Sequence, residues 1–316
     1  MSAQTSGPRY RPLAFGVTRV VVRESDGHTY ARADQTLGEH VPRITDRLTH
    51  WATVAPERPF LARRAQNADG TRGDWRVVTY GEALAAVRSI GQALLDAGAS
   101  VDRPLAILSE NSIEHALLGL GAMYVGVPYC PVSTPYSLVS QDFEKLRHVL
   151  GTITPGVVYA ADLARYSRAI NATVAADIPV VCDDPAAGSR TAGKVVALAD
   201  WLATQPTAAV DAAHAATGPD TIAKFLFTSG STKLPKAVIN TQRMLCANQQ
   251  QMRQSMPVLA DADNPPVLVD WLPWNHTFGG NHNFGMVLYN GGTLYIDDGK
   301  PTAALMHETL RNLREV

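Results

Sequence analysis

Apolar positions along this chain follow two spacings: a period near 3.6 that marks helices, and short all-apolar runs that mark buried strands. Val17 to Arg23 and Thr29 to Ala33 flank Asp26-Gly27, a hairpin signal. Ile44, Leu48, Trp51 and Ala55 recur at helical spacing and stop at Pro56. Phe60 to Ala62 and Trp75 to Val78 form a second strand pair around Asp69-Gly70. Thr79 and Glu82 make a capping box for a helix whose apolar face is Leu84, Val87, Gly91, Leu94 and Leu95, with Gly98 placed to end it. Leu105 to Leu108 reads as a strand, and Asn111 with Glu114 as the cap of a helix reaching Tyr124. Val127 to Val132 reads as a strand that Pro128 and Pro131 push toward an edge or an irregular position.

The alternation continues through a helix near Ser140 to Leu150, a strand at Val157 to Tyr159, a helix to about Thr173 and a strand at Ile178 to Cys182. Phe225 to Phe227 and Ala237 to Ile239 are two further apolar runs, read as buried strands either side of a loop of small residues. Thr241 can cap a helix bearing Met244, Leu245, Asn248, Met252 and Met256, a row that fits core packing. Strands buried on both faces with amphipathic helices between them predict an α/β fold, doubly wound, with largely parallel sheets and flanking helices. We divide the chain into a hairpin and helix segment over 1–56, a first α/β subdomain over 57–219 and the start of a second over 220–316. Asp183 to Lys194 and Thr204 to Asp220, rich in Ala, Pro, Gly and Thr, are the linker candidates.

Composition adds little beyond class. A hydrophobic content of 46% over 316 residues is enough for one large or two ordinary domains. The net charge of −1 gives no field for nucleic acid or an anionic membrane. Cys130, Cys182 and Cys246 are too far apart for a zinc motif or a disulfide framework and fit a reducing cytoplasm. The N-terminal residues lack an apolar segment, and the uncharged stretch from His115 to Gln141 is broken by glycines and prolines, so a soluble, cytoplasmic protein is expected.

The chemistry concentrates between Phe227 and Ala237. Thr228, Ser229, Gly230, Ser231 and Thr232 are small or hydroxylated, and Lys233 and Lys236 supply charge around Pro235. Such a loop lets backbone N–H groups approach an anion closely while hydroxyls add donors, the chemistry of a polyphosphate cradle. A Walker A loop leads into a helix, and this loop leads into a strand. A plain Ser/Gly/Thr surface loop is the competing reading; the fixed spacing of hydroxyls, Gly230, Pro235 and Lys236 counts against it.

The string Thr228-Ser229-Gly230-Ser231-Thr232-x-x-Pro235-Lys236 resembles the phosphate-binding signature of the adenylate-forming superfamily, which includes acyl- and aryl-CoA synthetases, luciferases and peptide-synthetase adenylation domains. Lys233 stands where that family usually has Gly. A residue needing positive φ there would cost on the order of 1 kcal/mol, or the lysine would add a cation near the phosphates.

The second informative stretch is WLPWNHTFGGNHNFG, from Trp271 to Gly285. Trp271, Trp274 and Phe278 offer large apolar surfaces around His276, and Gly279-Gly280 permits close backbone approach, a composition suited to a planar organic ligand. His276, His282 and Asp270 match no metal motif, and His276 can equally be a hydrogen-bonded histidine within an aromatic cluster. The wording around His276, with KAVINTQRM before it and LYNGGTLYIDDGKP after it, is most similar to feruloyl-CoA synthetases. By that resemblance His276 would position the substrate carboxylate, with Trp274, Phe278, Gly279 and Gly280 around a hydroxycinnamic acid.

The resemblance implies an acid–thiol ligase using ATP, Mg²⁺ and coenzyme A, with a small carboxylic acid as its partner and no nucleic acid or membrane. Further adenine, ribose and hinge motifs and a catalytic lysine, usual later in such enzymes, are not found in the 316 residues, so this chain alone is expected to be inactive or nearly so. A remnant that only binds nucleotide, or the adenylation domain of another acyl-activating enzyme, are the alternatives.

Overall fold

The computed structural model describes residues 13–16, 19–67, 69–228 and 234–316. The chain opens on an antiparallel hairpin, β1 (Val20–Ser25) and β2 (His28–Ala33), turned by Asp26 at φ 53° and Gly27 at φ 75°. Helix α1 (Thr45–Val54) follows, then the antiparallel pair β3 (Pro59–Gln66) and β4 (Arg72–Thr79). Helix α2 (Tyr80–Asp96) carries the expected capping box: the Thr79 hydroxyl accepts from the Glu82 N–H, and the Glu82 carboxylate accepts from the Thr79 N–H. Next come β5 (Leu105–Leu108), α3 (Ile113–Tyr124), β6 (Tyr129–Pro131), α4 (Pro135–Leu138), α5 (Glu144–Ile153), β7 (Val157–Ala160), α6 (Leu163–Thr173) and β8 (Val180–Cys182). The next segment holds β9 (Val195–Ala197), α7 (Leu198–Leu202) and α8 (Ala208–Ala216). The remainder is β10 (Ile222–Thr228), β11 (Lys236–Thr241), α9 (Gln242–Ser255), β12 (Val267–Asp270), a π-helical turn (Phe278–Asn283), α10 (Phe284–Asn290), β13 (Thr293–Ile296) and α11 (Met306–Glu315).

Two sheets result. The larger has the order β11-β10-β6-β5-β7-β8-β9, parallel throughout except for β11 against β10. The smaller has the order β12-β13-β3-β4, parallel except for the β3–β4 pair. The fold is thus the α/β, doubly wound, mostly parallel arrangement with flanking helices. Both sheets bring together strands from either side of residue 220: β10 pairs with β6, and β13 with β3.

Alternate side chains of β5 show how the layers are built. Leu105 and Ile107 enter the core shared with α2, α3 and the smaller sheet, while Ala106 and Leu108 enter the one formed with α5 and α6. A strand so enclosed must be apolar on both faces, and each fully buried aliphatic side chain contributes about 1.5–3 kcal/mol.

Four expectations need correction. Val127–Val132 is not at an edge: β6 lies between β10 and β5 with all three residues buried. Its brevity accommodates the prolines, since Pro128 still supplies its carbonyl to the Leu105 N–H. The stretch from Thr204 to Asp220 is no linker, because it contains α8, whose Val210 is fully buried and whose cap residue Thr207 bonds Gln92 on α2. Asn111 does not cap α3; Ser112 does, accepting from the His115 N–H at 3.0 Å. Finally, β11 is an edge strand with Val238 and Ile239 exposed, so only β10 of that pair is a buried strand. The methionine row on α9 is split, with Met252 buried and Met244 exposed.

Candidate functional site

The expected phosphate loop is the connection of the β10–β11 hairpin. Ser229, Gly230, Ser231, Thr232 and Lys233 lie outside the described residues; the structure places the residues on either side of them. Thr228, the last residue of β10, is paired in register with Lys236, the first of β11. Because β10 runs parallel to β6, this end of the hairpin lies at the carboxyl edge of the larger sheet, where open α/β folds place their ligands. His148 on α5 fixes the exit from the loop: its Nε2 lies 2.9 Å from the Pro235 carbonyl. A carbonyl only accepts, so this ring carries its proton on Nε2.

The second stretch is anchored to its surroundings through its backbone. Asn111 Nδ2 donates to the Leu272 carbonyl at 2.8 Å, and Asn111 Oδ1 accepts from the Trp274 N–H at 3.0 Å. This clamp explains why Asn111 is not free to cap α3. Trp274 is buried, edge-on to His115 and Phe284, each with ring centroids 5.2 Å away. His276 and Phe278 face outward, Phe278 packing edge-on against His282 at 4.9 Å. Gly279 and Gly280 are buried where no Cβ fits: one on Gly279 would lie 2.5 Å from the Leu272 carbonyl oxygen, and one on Gly280 2.3 Å from that of Trp274. These two glycines allow the chain to double back as a π-helical turn, a feature frequent at functional sites.

The structure joins the two stretches. Asn281 on the π-turn donates through Nδ2 to Oδ1 of Asn240 on β11 at 2.9 Å. Lys224 on β10 donates to the Gly280 carbonyl at 2.9 Å and to the Tyr129 hydroxyl at 3.3 Å. Gln249 on α9 donates to the Asn281 carbonyl at 2.9 Å, an approach that only a glycine at 285 permits, since a Cβ there would lie 2.5 Å from the amide nitrogen. Asn111, His115, His148, Lys224, Asn240 and Gln249 were not legible as site residues in the sequence. The one available signal was Lys224, a cation inside an otherwise apolar strand.

Burial governs the electrostatics here. It lowers the Lys224 ammonium to about 7. It also lowers the His115 imidazole to about 4, against the Glu110 carbonyl that favours the protonated form, while the nearby charge of Lys224 lowers it further. At neutral pH His115 is therefore neutral. Its Nδ1 lies 3.2 Å from the Glu110 carbonyl, so the proton sits on Nδ1.

A cavity of about 400 Å³ opens beside this stretch, between the carboxyl ends of β5, β12 and β13. Trp271, Pro273 and Asn275 form one wall, and Arg63, Glu110 and Lys300 are among those facing them. Its size suits a small organic molecule or part of a nucleotide. Of the four large aromatic residues in the stretch Trp271 borders it; Trp274 and Phe284 are in the core and Phe278 is on the outer side of the turn.

The AMP-binding enzyme family matches residues 48–315. This chain belongs to that family. Among curated family relatives, it is 28% identical over 229 residues to the 7a-methyl-1,5-dioxo-octahydroindenyl-propanoyl:CoA ligase of Rhodococcus jostii, covering 70% of this chain and 43% of that protein. It is 29% identical over 165 residues to a 4-hydroxybenzoate–CoA/benzoate–CoA ligase of Rhodopseudomonas palustris, covering 52% of this chain and 28% of that one. The fold superposes on the fatty acyl-adenylate ligase of L. pneumophila with a TM-score of 0.62 at 18% identity, over 86% of this chain and 42% of that one. The chain thus spans less than half the length of these AMP-binding relatives. Among the described residues no helix is long and apolar enough to cross a membrane.

Proposed function

We propose that this chain carries the phosphate cradle and acid-binding turn of an ATP-dependent acid–CoA ligase, acting on an aromatic, hydroxycinnamate-like carboxylic acid such as ferulate. The observation that carries this reading is the pair of hydrogen bonds, Asn281 to Asn240 and Lys224 to Gly280, that joins the turn following His276 to both strands of the hairpin. Phosphate-binding and acid-binding groups are thereby held on one frame, which is what in-line attack requires.

In this reading a carboxylate oxygen attacks the α-phosphorus of ATP, the bond to the bridging oxygen breaks, and pyrophosphate leaves with that electron pair. The coenzyme A thiolate then attacks the acyl carbon and AMP departs. Catalysis of the first step is positioning and charge neutralisation. Thr228, Ser229, Gly230, Ser231, Thr232, Lys233 and Lys236 would surround the β- and γ-phosphates as donors. His276 would position the carboxylate, with Phe278, Trp274 and the backbone of Gly279 and Gly280 shaping its surroundings. Among the described residues no three His, Cys, Asp or Glu side chains converge on a common point, so Mg²⁺ would enter on the phosphate oxygens and supply charge neutralisation there. The aryl-CoA relative favours an aromatic acid over a long aliphatic one, as do Trp271 and Phe278.

Ferulate-dependent ATP–pyrophosphate exchange tests this, run on this chain and on the full product of its reading frame. Acid-dependent exchange in the full product, with little in this chain alone, is expected. Exchange in neither, with ferulate or other aryl acids, defeats the ligase reading.

A further inference from the structure

Lys224 is the single buried lysine among the described residues, at 2% exposure. No carboxylate among the described residues lies within ion-pair distance of it. Its ammonium is satisfied instead by neutral acceptors, the Gly280 carbonyl and the Tyr129 hydroxyl, and it lies 5.5 Å from the centroid of the Tyr129 ring. Desolvating an ammonium without a counter-ion is unfavourable, and a methionine or leucine would fill the same space in an apolar strand without that penalty. The fold gains nothing from a charge here that an apolar side chain would not provide. The turn does gain something. Gly280 lies at the middle of the π-helical segment, with the Trp274 carbonyl pressed against it and the His276 carbonyl accepting its N–H at 2.9 Å. From β10 Lys224 reaches this segment and fixes its carbonyl.

We propose that Lys224 is a positioning residue for carboxylate activation. It grips the π-turn through the Gly280 carbonyl and so sets where His276 and Phe278 stand relative to Thr228, four residues further along the same strand. The proposal rests on the reading that this turn faces the substrate acid. Among the described residues the turn is otherwise held through Asn240 on the neighbouring strand and Gln249 on α9, neither of them on β10. Without the grip the phosphate cradle keeps its own supports, the β10–β11 register and the His148 bond, and only the turn is released.

The test uses this chain, with ferulate binding followed by tryptophan fluorescence and Mg-ATP binding by calorimetry. Lys224→Met keeps the length and removes the donors; it is expected to weaken ferulate binding about tenfold and leave Mg-ATP affinity within about twofold. Lys224→Arg, which restores donors, is expected to recover part of the loss. A purely structural role would lower the melting temperature and both affinities together. Lys224→Met binding ferulate as tightly as the parent chain overturns the proposal. A parent chain that binds no aromatic acid overturns it too, and with it the functional reading.

A second measurement needs no Lys224 variant. With ¹³C at lysine Cε the chain gives six signals, one per lysine, and replacing the other five singly by arginine assigns Lys224 by elimination. Its signal is expected to shift when ferulate is added and to stay in place with Mg-ATP alone. A Lys224 signal unmoved by saturating ferulate also overturns the proposal.

Discussion

Asn281 Nδ2 donates to Asn240 Oδ1 at 2.9 Å, and this bond ties the outgoing strand of the β10–β11 hairpin to the π-helical turn that follows His276. It crosses 41 positions of sequence and joins two otherwise separate pieces of chemistry. Asn281→Ala removes one neutral hydrogen bond, a net effect of about 1 kcal/mol. The expected outcome is a several-fold weaker affinity for ferulate with Mg-ATP affinity unchanged, measured by titration of each. Equal weakening of both would show that the bond supports the whole hairpin and not the turn alone.

Asn111 holds the backbone on both sides of Pro273. Asn111→Ala leaves the Leu272 carbonyl and the Trp274 N–H without partners, at an expected cost of about 2–3 kcal/mol. Urea denaturation measures it; a loss under about 0.5 kcal/mol would mean that solvent replaces both bonds.

The fold was legible because its grammar is local. The capping box at Thr79, the Asp26-Gly27 turn and the all-apolar β5 and β7 each declare their conformation within a few residues. The strands on either side of the β10–β11 loop were legible for the same reason. Depth was not. β11 has the apolar composition of a buried strand but occupies an edge, and β6 has the prolines of an edge strand but lies inside. Sheet position is decided by pairing with distant strands, which no local spacing records. The same holds for Asn111, whose expected capping role went to Ser112 because its amide is engaged 161 and 163 residues away. The support of the site by Lys224, Asn240 and Gln249 is likewise made only by tertiary contacts.

The Gly279-Gly280 pair makes a sharper prediction. In Gly280→Ala the new methyl would lie 2.3 Å from a backbone carbonyl oxygen, which no rotamer change relieves. A loss on the order of 2 kcal/mol and a distorted turn are expected, read by thermal unfolding and by loss of ferulate binding. Gly151→Ala on α5, where nothing lies within 4 Å, is the control. It is expected to stabilise by up to about 1 kcal/mol.

His115 gives the chain a pH dependence of known sign. Burial lowers its imidazole from 6.5 to about 4, so between these values the unfolded chain binds a proton that the folded chain does not. Stability linked to this residue is therefore complete above pH 6.5 and is lost as pH falls toward 4, by up to about 3 kcal/mol. His115→Gln, which does not titrate, is expected to flatten this part of the melting-temperature profile. Parallel profiles for the two proteins would contradict the assignment.

The account turns on Lys236, set opposite Thr228 at the mouth of the hairpin loop. Calorimetric titration of Mg-ATP into the Lys236→Ala chain tests it most directly. A drop in affinity of about tenfold or more, the value of one charge-assisted phosphate contact, is the predicted result. An affinity equal to that of the unsubstituted chain would place the nucleotide elsewhere and contradict the reading.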